Sequence, residues 1–249
     1  MRVGRKPIAV GLVSALVVAT LLYIQAGSIL SRFGLPGSAN LTEVETRLTP
    51  ALAAELSEKG LQLGAAVFMR VFKEQRELEV WVKAGAHFKH FKTYEICTYS
   101  GDLGPKLKEG DRQSPEGFYR VTPAQMNPNS NYHLSFNIGF PNAFDRSHQR
   151  TGSFLMVHGH CVSIGCYAMT NSGIEEIYLL ANETFKEGKN HFDIHIFPFR
   201  MTEANLKRYS RSPWYAFWND LKLGHDAFEH AFVPPNIVVR DGRYRIEAE

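Results

Sequence analysis

The chain has 249 residues, of which 44% are hydrophobic and 21% are charged. This composition is close to the globular average and excludes both a wholly disordered chain and a polytopic membrane protein. Lysine and arginine number 28 against 25 acidic residues, and Arg2, Arg5 and Lys6 account for the surplus of +3, so the remainder lacks the basic excess typical of a nucleic-acid-binding domain.

The first 28 residues have the composition of an export signal. Their basic start precedes an uncharged stretch of eighteen residues, 7–24, and the small residues Ala26, Gly27 and Ser28 follow. This order predicts a secretory signal cleaved after Ser28, or an uncleaved membrane anchor, because the apolar stretch reaches the lower limit of a membrane span. Both alternatives predict a protein of the periplasm or cell envelope, with no membrane contact beyond that anchor.

Residues 29–62 are predicted to form a linker and a short helix, which Thr49 and Pro50 open and Gly60 ends. A series of strands follows, bounded by turn residues. The predicted strands are 65–72, 77–83, 94–99, 117–121, 132–138 and 154–158, and residues 100–115 form a loop rich in Gly, Pro and charge.

A helix is predicted after these strands, because Ser172 and Glu175 have the spacing of a capping box. Residues 191–197 alternate between apolar and polar, which predicts a strand with one buried and one exposed face, the latter carrying His191, Asp193 and His195. Beyond residue 200 we predict two short aromatic helices, 213–222 and 225–232, and a hairpin at 238–245 with an Asp-Gly turn.

The three cysteines are Cys97, Cys161 and Cys166. An odd number leaves at least one thiol unpaired, and a spare thiol in an oxidising compartment indicates a chemical role. Cys97 lies on a predicted strand, where it is either a buried inert thiol or the partner of Cys161.

The residues with the clearest chemical pattern lie between positions 156 and 170. A strand ends at His158, and a short loop leads to Cys166, eight positions later. This arrangement can place an imidazole within hydrogen-bond reach of a thiol, as a cysteine nucleophile requires. Gly165 permits an unusual backbone turn, and the amides from Gly165 to Tyr167 can stabilise an oxyanion.

Three other interpretations of these residues stay open. Cys161 and Cys166 can form a disulfide, Cys166 can be a buried core thiol, or His158, His160, Cys161 and Cys166 can bind zinc. His148 and His160 are alternative bases, although surface positions are favoured for both.

Substrate binding is predicted for two arginines and one tyrosine. Arg146 and Arg150 lie in a loop before the strand that ends at His158, and a guanidinium is well shaped to pair with a substrate carboxylate. Tyr119 can line the same cleft. The alternatives are solvated loop charges for the arginines and a core position for Tyr119.

His158-Gly159, followed by Ser163-Ile164-Gly165-Cys166, resembles the signature of the L,D-transpeptidases with a YkuD-type catalytic domain. Further blocks resemble the YafK-like branch of this family, and the similarity spans about residues 65–240. These blocks are 101–106, 114–119, 140–146, 163–171 and 195–202.

The resemblance implies an α+β, mainly β fold, with a β-sandwich catalytic domain at 63–200 and a helical and hairpin extension at 201–249. It implies acyl transfer at the meso-diaminopimelate centre of peptidoglycan stem peptides. Cys166 is then the nucleophile that forms a thioester, His158 is the acid and base, and a backbone carbonyl or Ser163 orients the imidazole. No metal or cofactor is predicted, because His158 and Cys166 serve as base and nucleophile.

The resemblance leaves the acceptor of the acyl group open. Ile164 and the short spacing from His158 to Cys166 resemble the branch associated with cleavage, so we predict hydrolysis of a murein-linked peptide or lipoprotein. The alternative is transpeptidation, which forms cross-links or attaches a protein to murein. A non-catalytic zinc- or wall-binding protein is a further alternative.

Overall fold

A nine-stranded mixed sheet forms the centre of the protein in the computed structural model, which describes residues 37–247. The predicted signal or anchor lies outside these residues. The strands are β1 (Gly37–Ser38), β2 (Val67–Phe72), β3 (Glu77–Ala84), β4 (His87–Tyr99), β5 (Gly117–Val121), β6 (Met126–Asn127), β7 (Tyr132–His133), β8 (Ser135–Asn137), β9 (Met156–His158), β10 (Tyr167–Met169), β11 (Phe192–Phe197), β12 (Asn236–Arg240) and β13 (Arg243–Glu247). The helices are α1 (Leu41–Glu58), α2 (Ala143–Ser147), α3 (Asn171–Lys186), α4 (Glu203–Arg208) and α5 (Tyr215–Ala231).

The large sheet curves until its two ends approach each other. Its strand order is β5-β11-β2-β3-β4-β10-β9-β8-β6, with parallel pairs at β11–β2 and β10–β9. The end strands β5 and β6 are joined by a single short turn, Pro123–Gln125. The Gln125 side-chain amide donates to the carbonyls of Arg120 at 3.4 Å and Asn137 at 3.0 Å, so one side chain links β5 to β8. The sheet therefore nearly closes into a barrel.

Both faces of the central strands are covered, which explains why β2 is buried along its whole length. Met69 and Val71 face one way and belong to the same apolar cluster as Ile177 of α3 and Leu56 of α1. Phe68 faces the other way and packs on Phe228 of α5, with 4.6 Å between the ring centroids. Two-sided burial of this kind produces a continuous apolar run in place of an alternating one.

The observed fold is α+β and mainly β, which confirms the predicted class. The strand predicted at 117–121 matches β5, and β12 and β13 form the predicted hairpin around Asp241-Gly242. Residues 38–247 belong to one compact unit, and the division of the chain at residue 200 stays a prediction. Within the described residues, no helix has both the length and the apolar character needed to cross a bilayer.

The predicted starts of two helices were wrong. Helix α1 begins at Leu41, where the Asn40 side chain accepts from the Glu43 amide at 3.3 Å, and Pro50 lies inside it. Burial of Val44 and Leu52 against the sheet outweighs the cost of an internal proline. Helix α3 is capped by Thr170. Glu175, predicted to close the capping box, instead pairs with Arg47 and His133.

Two expectations about the C-terminal half were also wrong. The segments 213–222 and 225–232 form the single helix α5, since Gly224 is accommodated within it against the ring of Phe118. His195, predicted on an exposed face of β11, is only 3% exposed and lies between the rings of Phe68 and Phe118. Burial lowers its pKa to about 3, so the ring is neutral.

We expect Phe228→Ala to lower the free energy of unfolding by about 3–5 kcal/mol, because the ring is fully buried against Phe68 and Trp81. Leu223→Ala on the same helix is the control, since Leu223 is largely exposed and should cost less than about 0.5 kcal/mol. Urea denaturation measures both, and equal losses would contradict the two-sided burial of the sheet.

Candidate active site

The fold brings His158 and Cys166 to one cavity of about 570 Å³. His158 is the last residue of β9, and Cys166 immediately precedes β10, the parallel neighbour of β9. Because Tyr167 pairs with Val157, Cys166 lies beside Met156, whose amide donates to the cysteine Sγ at 3.4 Å. Met156 and His158 are two positions apart on a strand and thus share a face. Both side chains line the cavity with the thiol.

The His158 imidazole is held in one orientation by its own loop. Its Nδ1 donates to the Gly159 carbonyl at 2.6 Å, and the buried ring packs on Tyr132 with 4.8 Å between centroids. Because a carbonyl oxygen can only accept, the proton of the neutral ring resides on Nδ1. Nε2 is then left as a proton acceptor, as a general base requires. The sequence analysis left open whether a backbone carbonyl or Ser163 orients the imidazole, and in the structure the Gly159 carbonyl holds this position.

Burial sets the charge of both groups. It lowers the pKa of His158, against the opposing effect of the Gly159 hydrogen bond. It raises the pKa of the Cys166 thiol, against the Met156 hydrogen bond and the charge of Lys106. Both shifts favour the uncharged forms near neutral pH. The resting site therefore holds a neutral thiol and a neutral imidazole in one cavity, and the Cys166 thiol donates to the Phe154 carbonyl at 3.6 Å.

Ser163 contacts the backbone of the nucleophile and not the imidazole. Its hydroxyl donates to the Cys166 carbonyl at 2.8 Å and accepts from the Gly165 amide at 3.2 Å. Gly165 has φ 144°, a conformation that side chains rarely adopt, so a glycine is required at this turn. The Tyr167 hydroxyl is buried and donates to Pro115 at 2.7 Å. Oxyanion stabilisation by the amides of this segment stays a prediction.

The structure does not bring the predicted substrate-binding side chains to this cavity. Arg150 is 7% exposed and forms an ion pair of 2.9 Å with Asp145, and its guanidinium lies over the rings of Phe144 and Phe217. The Tyr119 hydroxyl also bonds to Asp145, at 3.1 Å. Arg150 and Tyr119 therefore belong to the packed interior, because the buried Asp145 carboxylate needs their donors.

Arg146 and the two alternative histidines also lie away from the thiol. Arg146 is exposed, donates to the Pro141 carbonyl and lines a separate cavity with Arg120. His148 stacks on Phe144 with 4.2 Å between ring centroids. The His160 amide donates to the Asn171 side chain at 2.9 Å, and the residue does not line the Cys166 cavity.

Cys97 and Cys161 form a disulfide, and Cys166 is free. The alternative bond between Cys161 and Cys166 was wrong. The observed disulfide attaches the loop between His158 and Cys166 to β4, which limits the movement of that loop. It also removes Cys161 from the proposed zinc ligands, since a disulfide sulfur is not a thiolate. Within residues 37–247, no three His, Cys, Asp or Glu side chains are arranged to hold a metal ion.

Sequence reasoning missed the apolar rim of the cavity, which Phe154, Val162 and Ile164 form. Phe154 is 76% exposed and Ile164 is 82% exposed. Phe154 was predicted inside a strand, but β9 begins only at Met156, and Phe154 has the left-handed φ of 54°. Such a conformation is unfavourable for a bulky residue and is common beside functional sites. None of the residues lining the cavity is acidic or a lysine or arginine.

The YkuD family model, described as the L,D-transpeptidase catalytic domain, matches residues 67–187. Two proteins named "Putative L,D-transpeptidase YafK", from Escherichia coli K12 and from E. coli O157:H7, are each 49% identical over 182 residues. The aligned region covers 73% of this chain and 74% of each relative.

Two solved structures resemble the fold more distantly. The K307A mutant of the helical cell shape determining protein Pgp2 from Campylobacter jejuni is 18% identical, with a TM-score of 0.45. Bd1075 of Bdellovibrio bacteriovorus is 23% identical, with a TM-score of 0.37. The alignments cover 70% and 63% of this chain, and 62% and 59% of those chains, so this chain spans less than two thirds of either.

We expect the His158 ring to titrate below the ordinary histidine pKa of about 6.5, since burial disfavours its charged form. The neutral base should thus persist into mildly acidic solution and be lost only as the pH falls through the lowered pKa. NMR titration of the ring nitrogens measures the midpoint and, near neutral pH, should place the proton on Nδ1. A midpoint above 6.5, or a proton on Nε2, would contradict the described geometry.

We expect the double substitution Cys97→Ser and Cys161→Ser to lower the free energy of unfolding by about 2–4 kcal/mol, since the disulfide joins residues 64 positions apart. Urea denaturation should show a similar loss for the reduced native sequence. Thiol titration in denaturant without reductant should find one thiol in the native sequence and one in the double variant. Two or more thiols in the native sequence would exclude the disulfide.

Proposed function

Because this chain belongs to the L,D-transpeptidase family with the YkuD catalytic domain, we propose that it is a cysteine-dependent enzyme that hydrolyses a linkage at the diaminopimelate centre of peptidoglycan. The peptide or lipoprotein attached there is released. The observation that carries the proposal is the free Cys166 thiol and the oriented His158 imidazole in one cavity.

The first half of the reaction forms a thioester. His158 Nε2 accepts the proton of the Cys166 thiol as the sulfur attacks the carbonyl carbon of the scissile amide. The bond from this carbon to the leaving nitrogen then breaks, and the imidazolium returns its proton to that nitrogen. A neutral thiol and a neutral imidazole are the protonation states that this sequence needs at its start, and burial favours both.

The second half decides between hydrolysis and transpeptidation. In hydrolysis, His158 Nε2 takes a proton from water as the water oxygen attacks the thioester carbon, the carbon–sulfur bond breaks, and the imidazolium returns the proton to the Cys166 sulfur. A transpeptidase must instead hold a second stem peptide, with its amine about 3–3.5 Å from the thioester. The short loop from His158 to Cys166 leaves little sequence for such an acceptor site, which supports water as the acceptor.

The donor stem peptide can be held by neutral polar side chains. Asn127, Ser130, Asn131 and Ser135 also line the cavity and offer hydroxyl and amide donors. These residues take the place that the sequence assigned to Arg146 and Arg150, whose side chains are engaged elsewhere.

A periplasmic or cell-envelope location is part of the proposal. It is supported by the Cys97–Cys161 disulfide, because such bonds persist mainly in oxidising compartments. It is also where a peptidoglycan substrate resides. The second candidate activity is transpeptidation, which is favoured by the name that the E. coli relatives carry.

We expect incubation of purified murein sacculi with the enzyme to release attached peptide or protein, with no new diaminopimelate–diaminopimelate cross-links. Cys166→Ala should lower this release by more than about 10³-fold, because the thioester cannot form without the free Cys166 sulfur. Leu223→Ala is the control, since Leu223 is exposed and does not line the Cys166 cavity. Mass analysis of the soluble and insoluble products measures the outcome.

Each contrary result has a separate meaning. New cross-links that depend on Cys166 would replace hydrolysis by transpeptidation and preserve the nucleophile. Full activity of Cys166→Ala would exclude the thioester mechanism. Loss of activity on chelation with recovery on zinc would favour the metal alternative.

A further inference from the structure

Helix α5 lies beyond the family-matched residues 67–187, yet it contacts a buried carboxylate that belongs to them. Trp218 of α5 is buried, and its Nε1 donates to Glu116 Oε2 at 2.8 Å. Glu116 itself is fully buried and immediately precedes β5. A buried carboxylate must be hydrogen-bonded, so this contact constrains the position of both elements.

The other oxygen of Glu116 holds a buried lysine. Lys73 Nζ lies 3.0 Å from Glu116 Oε1, and both side chains have no exposed surface. The same oxygen accepts from the Gly104 amide at 2.6 Å. Lys73 also donates to the carbonyls of Asp102 at 2.9 Å, Gly104 at 3.1 Å and Ser114 at 3.0 Å. One ammonium thus joins the two ends of the loop between β4 and β5.

Ser114 connects the Lys73–Glu116 pair to the residue that bears the nucleophile. Its hydroxyl donates to the Cys166 carbonyl at 3.0 Å and accepts from the Ser100 amide at 3.2 Å. With Ser163 as the second donor, at 2.8 Å, the Cys166 carbonyl is fixed from two sides. Hydrogen bonds therefore connect Trp218 through Glu116 and Lys73 to the Ser114 backbone, and the Ser114 hydroxyl extends the connection to the residue that bears the thiol.

We propose that Trp218, Glu116, Lys73 and Ser114 are positioning residues for Cys166, so that the C-terminal helix α5 takes part in setting the geometry of the nucleophile. None of the four lines the Cys166 cavity, so they act through the Cys166 backbone and not on the substrate. The proposal rests on the nucleophilic role of Cys166 and is independent of whether water or an amine resolves the thioester.

The test compares two tryptophan substitutions that each remove one indole-to-carboxylate hydrogen bond. Trp218→Phe removes the donor to Glu116 and keeps an aromatic ring. The matched control is Trp81→Phe, because the Trp81 Nε1 donates to Glu79 at 2.9 Å, and Glu79 bonds to Arg70 and Arg200 and not to the loop that holds Ser114. Ser114→Ala tests the last contact directly, because it removes one of the two donors to the Cys166 carbonyl and changes the side-chain volume only slightly.

Two measurements are made on each full-length variant at a temperature where its far-ultraviolet circular dichroism equals that of the native sequence. The first is kcat and KM for release from sacculi. The second is the pH profile of Cys166 alkylation by iodoacetamide, which requires no peptidoglycan.

For Trp218→Phe and Ser114→Ala we expect kcat to fall by about 10-fold at constant KM, because small misplacements of a nucleophile are costly and substrate binding is untouched. Their alkylation midpoint should shift downwards, as a loosened loop admits water to the thiol. Trp81→Phe should leave both quantities unchanged.

Native kcat and alkylation profiles in both Trp218→Phe and Ser114→Ala would overturn the proposal, as would an equal effect of Trp81→Phe. If the native enzyme released nothing from sacculi, the proposed function would fail. The alkylation profiles would still decide the positioning role.

Discussion

The Lys73–Glu116 ion pair is the constraint on which the rest of the architecture depends. Neither side chain reaches solvent, and taking each ion out of water costs about several kcal/mol. Such a pair persists only if every remaining donor and acceptor is satisfied, and here the pair and its partners come from three separate parts of the chain. These are the end of β2, the loop between β4 and β5, and α5. Burial lowers the pKa of Lys73, and the Glu116 carboxylate opposes that shift.

The candidate site follows a different electrostatic rule. His158 is buried, Cys166 is partly buried, and neither has a charged partner in contact, so burial favours the neutral thiol and the neutral imidazole. Hydrogen bonds then supply the orientation that an ion pair would otherwise give. The Gly159 carbonyl sets the imidazole tautomer, and the Met156 amide contacts the sulfur. An uncharged resting pair suits a mechanism in which the proton moves only as the substrate carbonyl is attacked.

The C-terminal segment is a structural necessity for the sheet as well as a support for the site. Strand β2 carries Phe68 and Phe72 on the face opposite Met69, and β11 carries His195 and Phe197 on that same face. Without α5 and the terminal hairpin, these rings would be exposed to water. Burial of several aromatic rings stabilises the contact strongly, and α5 thereby brings Trp218 to Glu116.

Local sequence signals determined the parts of the protein that depend on neighbouring residues. The spacing of His158 and Cys166 across a short loop, the glycine at position 165 and the Asp-Gly hairpin involve few residues, so their geometry follows from local chemistry. The α+β, mainly β class was implied by the family resemblance and agrees with the predicted series of short strands. The resemblance to the L,D-transpeptidases was carried by the same segments, and the match to residues 67–187 confirms it.

Only the tertiary structure decided which distant groups meet. Arg150 has the chemistry to bind a carboxylate, and the sequence does not reveal that Asp145 occupies it in the interior. Cys161 had two possible partners, and its bond is to Cys97 on β4. Asn40 replaced Thr49 as a helix cap because packing of Val44 extended α1. Nothing in the sequence distinguishes Lys73 and Glu116 from exposed charged residues. They are 43 positions apart, so their pairing depends on how β2 and the loop before β5 are packed together. A side chain's chemistry is local, whereas its partner is set by long-range packing.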